Sequence, residues 1–402
     1  MTRSPRAEAG GVETAAQKRT PVPAPAEDPL LAWRPEFPTV EATLHFVSHS
    51  LGAMPRGVEE SLRLYAQTWK ARGIRAWEES WMSAPLEVAG LLERILNAEA
   101  GSVSLHPNVT LAHASVLSAL DFKPPRNRLV CTEEDFPSVL YLFEGLARRG
   151  VEVVRVPARE GRRLEEQDVV AAIDERTAVV ALSHVLFRTS QVVDLAAIVR
   201  RAREVGALTL IDAYQAVGTV PVDVRRPEID LLAGGSIKWL CGGPGTGYLY
   251  VSPRVAPRLE PALTGWFAHQ RPFDFDPGPM RWDEGPRRFW GGTPGIPSHA
   301  AARPGIETIA RIGVDAIRAK SLRLTARMIA WADELPQLFL SCYQVLSAIG
   351  DARAAQVLEV ACVCLHRQAS QISDATYRQA FWEDVPTHRA LLAAHAAREG
   401  RR

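Results

Sequence analysis

Along the middle of the chain, short runs of β-branched and leucine residues alternate with stretches whose apolar positions recur at helical spacing. The runs at 128–132, 152–156, 179–185, 208–212, 231–233 and 247–251 are predicted strands, since short apolar runs bounded by turn residues fit a buried sheet. Between them, 138–149, 168–173 and 195–205 read as amphipathic helices. Strand–helix–strand alternation predicts an α/β fold, with a mostly parallel sheet lying between helices. In such a sheet the loops that follow the strands gather at one edge, and ligands bind there.

Both ends of the chain depart from this pattern. Residues 55–73 and 84–96 read as helices leading into the sheet, and 306–334 as one long helical pattern with Gly313 inside it. Beyond Pro336 the strand-like runs stop, and 338–348, 352–369, 374–383 and 387–398 all read as helices. The opening residues are rich in Ala, Pro, Arg and Glu, with Pro21, Pro23 and Pro25 at alternate positions. Such a segment buries too little apolar surface to order itself, and it lacks the apolar stretch of an export signal. The expected organisation is a disordered leader over 1–28, a large domain over 29–335 and an all-α tail over 336–402.

Composition narrows the class. Of 402 residues, 47% are apolar and 23% charged, as in an ordinary soluble enzyme. The net charge of +1 gives no pull toward nucleic acid or an anionic membrane. Arg162-Arg163, Arg225-Arg226 and Arg287-Arg288 are short pairs without interleaved aromatics and read as solvated surface. No apolar run reaches the ~18 residues of a membrane span, so a cytoplasmic protein is expected. The cysteine count is five, which does not suit a disulfide scaffold. Cys362 and Cys364, two apart on a predicted helix, point to different sides, and no metal site is expected.

The candidate chemistry lies between 208 and 251. An apolar strand ends in Asp212, placing a carboxylate at the ligand-binding edge of the sheet. One strand later comes Lys238, followed by a glycine-rich turn at 241–247 that lets a flat ligand approach the backbone. Alone, Asp212 reads as a helix cap and Lys238 as a surface lysine. Together, on flanking strands, they match what pyridoxal 5′-phosphate (PLP) requires: a lysine to hold it covalently and an acid to keep its ring nitrogen protonated. His106-Pro107-Asn108-Val109-Thr110 opens a helical pattern at 111–120, and a helix N-terminus with a threonine hydroxyl forms an anion site suited to the phosphate.

Further motifs are familiar as a set. His49-Ser50-Leu51-Gly52-Ala53-Met54-Pro55, Gly73-Ile74 with Trp77 and Trp81, Phe136-Pro137-Ser138, Gly265-Trp266 and Gly292-Thr293-Pro294 occur in order. With Asp212 and Lys238, the chain over about 38–334 resembles the class V aminotransferase superfamily of fold-type I PLP enzymes, and within it the kynureninases. The resemblance implies an aspartate-aminotransferase-like large domain, an amino-acid substrate and a homodimer. It implies that Lys238 holds the cofactor and shuttles protons, that Asp212 pairs with the ring nitrogen, and that Phe136 stacks on the ring. Val109, Thr110, Ser138, Ser183, Gln215, Trp266 and Thr293 would bind cofactor, Trp266 and Thr293 within a segment that completes a neighbouring subunit's site. His49 and Ser50 would meet the substrate.

Four positions depart from the family pattern. Gln215 stands where relatives have His, Ile237 where the lysine is preceded by Tyr, His49 for Asn, and Val139 for Asp. Glutamine hydrogen-bonds but does not titrate. The relatives' small α+β domain, which supplies an arginine for the substrate carboxylate, has no counterpart in the tail; Arg281 and Arg288 are the candidates to replace it. Residues 350–355 and 372–389 are instead similar to the closing segment of bacterial tetratricopeptide-repeat regulators. The expected activity is kynureninase-like hydrolysis of an amino acid to an acyl acid and alanine. Epimerisation, transamination and β-elimination share its early steps, and a PLP-binding regulator with a partner-binding tail is the alternative from another class. An incomplete, association-prone remnant is the third.

Overall fold

A computed structural model describes residues 28–159, 163–334, 336–370, 372 and 374–399. Apart from Asp28, the expected leader lies outside these residues, as do Arg162 and tail positions 371, 373 and 400–402.

The chain enters through a single helical turn, α1 (Thr39–Ala42), then α2 (Gly57–Arg72) and α3 (Ala84–Ile95). The alternating region follows: β1 (Val103–His106), α4 (Val109–Leu117), β2 (Arg128–Thr132), α5 (Pro137–Ala147), β3 (Glu152–Val156), α6 (Glu166–Ala172), β4 (Thr177–Ser183), α7 (Leu195–Glu204) and β5 (Leu208–Asp212). β6 (Leu231–Gly235) and β7 (Gly247–Val251) complete the sheet, and α8 (Ile296–Ile312) and α9 (Val314–Glu334) lead out of it. The tail is α10 (Pro336–Ala348), α11 (Arg353–Ser370), α12 (Ala375–Glu383) and α13 (Pro386–Glu399).

The seven strands lie in the order β1-β7-β6-β5-β4-β2-β3. β7 runs antiparallel to both its neighbours, and the pairs among β2 to β6 are parallel. The expected mostly parallel sheet is therefore present, with one reversed strand. Alternation along the strands sorts the core into two layers. Ile211, Leu232 and Tyr248 pack with α3, α7 and α8 on one face, while Leu210, Leu231, Ala233 and Leu249 pack with α4 and α5 on the other. Each large aliphatic side chain so buried contributes about 1.5–3 kcal/mol, which holds the strand ends in fixed register.

Two expectations change. β1 was not expected, because Ser104 and His106 read as polar. In the fold both are buried, and Ser104 Oγ lies 3.0 Å from His106 Nε2, so the polar atoms satisfy one another within the sheet. The long pattern at 306–334 is two helices rather than one. Gly313 takes φ +85° between α8 and α9, and α8 begins ahead of the pattern at Ile296. The tail has no strand among its described residues and a core of its own, built on Leu340, Leu358, Ala361, Leu365 and Leu391.

Candidate active site

The register of the central strands builds the site. Ser183 at the end of β4 pairs with Asp212 at the end of β5, and Asp212 with Ala233 in β6. The backbone beyond these ends stays tethered: His184 N–H donates to Asp212 O at 2.9 Å and Ala213 N–H to Ala233 O at 2.8 Å. Asp212 is thus held at the sheet edge by bonds that any residue could make, leaving its side chain for other work. That side chain is buried at 5% exposure, and its Oδ1 accepts the Tyr214 N–H at 2.9 Å. Burial raises its pKa, while His113, the Tyr214 N–H and Lys238 pull it back down.

Lys238 follows β6 in a tight turn. Ser236 N–H donates to Thr246 O at 2.9 Å, Gly242 N–H to Ser236 O at 2.8 Å, and Cys241 N–H to Lys238 O at 3.1 Å. The Lys238 Nζ lies 4.7 Å from the Tyr214 ring centroid and 5.6 Å from that of Phe136. Burial lowers the lysine pKa, against the opposing charge of Asp212. Phe136 sits at the N-terminal cap of α5 and meets Phe187 edge-on, with centroids 5.2 Å apart.

The anion cradle forms at α4. Asn108 caps the helix, its side chain accepting the Leu111 N–H at 2.9 Å. The first intrahelical bond runs from Ala112 N–H to Asn108 O, so the N–H groups of Val109 and Thr110 precede it and remain for a ligand.

These pieces face one cavity of about 640 Å³. His49, Ser50, Val109, Thr110, Phe136 and Ser138 line it, together with Ser183, Asp212, Gln215 and Lys238. Gln215 ties its walls: Nε2 donates to His49 O at 3.2 Å, and Oε1 accepts the Trp239 indole N–H at 2.9 Å. The Gln215 side chain therefore serves as a clamp between the 49–50 segment and Trp239. Trp266 and Thr293 lie elsewhere, lining a second cavity of about 780 Å³ with Ile74, Trp77, Phe273 and Phe275.

Of the two arginine candidates, Arg288 is buried and committed to main-chain carbonyls, donating to Asp283 O at 2.9 Å and Leu259 O at 3.2 Å, and to Ala256 O. Arg281 pairs with Asp276 at 3.6 Å on the exposed segment beside the second cavity. Neither reaches the Lys238 cavity. No cluster of metal-ligating side chains occurs among the described residues.

Three participants escaped the sequence reading. Tyr214 and Phe187 line the cavity, and buried His113 on α4, its Nδ1 3.0 Å from Val109 O, acts on Asp212. Tyr214 stands two residues after Asp212, but the seat of its ring on Gly235 is a tertiary contact that the sequence does not signal. Below the site, Asp135 accepts the N–H of Ser183 at 2.6 Å and of Thr132 at 2.8 Å, and burial pushes its carboxyl up to about 6.

A sequence model of the aminotransferase class-V family matches residues 55–350. The chain belongs to this family. A kynureninase of Pseudomonas fluorescens is 31% identical over 322 residues, covering 77% of this chain and 75% of that protein. A kynureninase of Burkholderia pseudomallei strain 1106a is 30% identical over 314 residues, covering 76% and 74%. Among solved structures, a C-DES variant with glycine covalently linked to its PLP cofactor matches with a TM-score of 0.68 at 21% identity, over 76% of this chain and 80% of that one. The cysteine desulfurase of Thermococcus onnurineus NA1 matches with a TM-score of 0.66 at 24% identity, covering 76% of each. The fold is that of the fold-type I PLP enzymes, and the cofactor of this class V protein is pyridoxal 5′-phosphate.

The residues present fit that cofactor. Asp212 is a buried carboxylate whose charge His113 and Lys238 compensate only in part, and a protonated pyridine would supply a further cation. The free N–H groups at the α4 N-terminus would suit the phosphate, and Phe136, lining the same cavity, would supply an aromatic surface for the ring.

Proposed function

We propose that this class V enzyme hydrolyses the Cβ–Cγ bond of kynurenine or a related γ-keto amino acid, yielding an acyl acid and alanine. The observation that carries the reading is the convergence of Lys238, Asp212, Phe136 and the α4 N-terminus on one cavity, in a chain 30% and 31% identical to two kynureninases over 74% and 75% of their length.

The proposed roles follow from position and chemistry. Lys238 would hold the cofactor, and its Nζ, when not so engaged, is placed to take the α-proton and return a proton later. When bound, the cofactor supplies an electron sink for the pair left at the α-carbon. Asp212 holds a proton on the pyridine nitrogen, and Phe136 fixes the plane of the ring. Val109 and Thr110, with Ser138 and Ser183, hold the phosphate and ring substituents, and Gln215 keeps the 49–50 segment over the cavity. His49 and Ser50 at that rim are placed to meet the substrate. In the net reaction, water adds to the γ-carbonyl carbon, the Cβ–Cγ bond breaks, and the pair left on Cβ takes a proton. Trp266 and Thr293, lying together in a separate cavity, are assigned to the site of a partner in a homodimer.

One observation favours a second reading. No arginine lines the Lys238 cavity among the described residues, and the tail that replaces the relatives' small domain is all helical. A PLP-binding regulator whose tail meets a partner would need no carboxylate clamp. Incubating fully loaded protein with kynurenine decides between them. Hydrolysis predicts anthranilate, read by its fluorescence, and its loss in Lys238→Ala. A loaded protein that forms no anthranilate overturns the hydrolase reading.

A further inference from the structure

One large side chain of the cavity has no role in the scheme above. Tyr214 stands two residues after Asp212, and the bond from its N–H to Asp212 Oδ1 at 2.9 Å fixes its backbone in the same bend that presents the carboxylate. Its ring then lies against β6 at Gly235. A β-carbon at 235 would come within 2.5 Å of Cε2 and 2.7 Å of Cζ and Oη, so only a bare backbone leaves room for the ring. Ring and glycine form one fitted unit. From this seat the ring centroid is 4.7 Å from Lys238 Nζ, nearer than Phe136 at 5.6 Å.

At such a distance the negative face of an aromatic ring attracts an ammonium ion, more strongly where water is partly excluded. Lys238 needs that attraction, because burial disfavours its charged form. The groups facing it are few. Asp212 on β5 acts on the lysine directly, buried His113 on α4 and Tyr248 on β7 lie against Asp212, and the Tyr214 phenol, pushed up to about 12 by burial and then by Asp212, stays neutral.

We propose that Tyr214 is the positioning residue for Lys238: its ring, seated on Gly235, holds the ammonium form of the lysine beside the cofactor plane whenever the lysine is not bound to it. This rests on Lys238 being the cofactor lysine. The ring retains the free lysine within the cavity, and it sets the balance between the charged form that has taken a proton and the neutral form that can accept one.

The test uses cofactor-free full-length protein. The chain has five lysines, so reductive methylation with ¹³C-formaldehyde gives few NMR signals, and that of Lys238 is the one missing from Lys238→Ala. Titrating it gives the lysine pKa directly. Tyr214→Leu is expected to lower that pKa by about one unit, a tenfold change in the ammonium-to-amine ratio. Tyr214→Phe, which keeps the ring, leaves it within about 0.3 unit, and Gly235→Ala, which evicts the ring, reproduces the fall. An unchanged pKa in either ring-displacing variant, or an equal fall in Tyr214→Phe, overturns the proposal. Neither cofactor nor substrate enters this measurement, so its failure is distinct from a failure of the hydrolase reading, which the anthranilate assay decides.

Discussion

Asp212 enters the fold at an electrostatic disadvantage. Its carboxyl is raised by burial, and the Tyr214 N–H, His113 and Lys238 offset that only in part. Because the folded pKa exceeds the unfolded value of about 3.9, the folded protein binds more protons than the unfolded chain between the two values. Stability of the cofactor-free protein therefore falls as pH rises through that window, and the deficit persists above it. Asn at this position keeps an oxygen for the Tyr214 N–H and removes the charge. Asp212→Asn is expected to stabilise cofactor-free protein by about 1–3 kcal/mol at pH 7, with the gain fading toward pH 4, while PLP affinity drops at least about tenfold. Urea melts at the two pH values and a PLP titration check both halves. A cofactor-free variant less stable than the parent at pH 7 would contradict this account of Asp212.

Among the elements, α4 and β7 approach closely at the edge of the cavity. A β-carbon at Gly247 would lie 2.6 Å from the Asn108 carbonyl carbon and 3.0 Å from its Cα, at the cap of the helix whose N–H groups face the cavity. Gly247→Ala must push the α4 N-terminus away from the sheet. It is expected to weaken PLP binding by about tenfold or more and to cost about 1–3 kcal/mol of stability. PLP binding at parental affinity in a folded Gly247→Ala protein would show that the cradle tolerates displacement.

At this scale the limits of the sequence are also clearest. Strands β2, β3, β5 and β7 were legible to the residue because their apolar runs are closed by turn residues at both ends. β1 was illegible because its polar side chains satisfy each other inside the sheet, a fact of tertiary pairing. The break at Gly313 was visible as a residue but not as a turn, since a glycine within a helical pattern is tolerated as often as it terminates one. Asp212, Lys238 and Phe136 were legible as a set, whereas Tyr214 was not. Its seat depends on Gly235, which spacing along the chain does not connect to position 214.

Over the whole molecule, the seven-stranded sheet and its helices are followed by a tail that is helical throughout its described residues. The tail helices enclose their own core, and the body carries both the Lys238 cavity and, apart from it, the aromatic cavity around Trp266. In the second cavity the Trp266 ring stacks on that of Phe275 with centroids 5.6 Å apart, and Phe273 and Phe275 are exposed. Exposed aromatics of this kind suit the proposed dimer, where a partner covers them. No helix among the described residues is long and apolar enough to span a bilayer. The central claim, that these elements converge to present Lys238 to PLP, is tested by reducing PLP-loaded protein with borohydride and mapping the modified peptide by mass spectrometry. The account predicts a phosphopyridoxyl group on Lys238, with none on Lys18, Lys70, Lys123 or Lys320. Modification of another lysine, or of none in protein that has bound PLP, would contradict it.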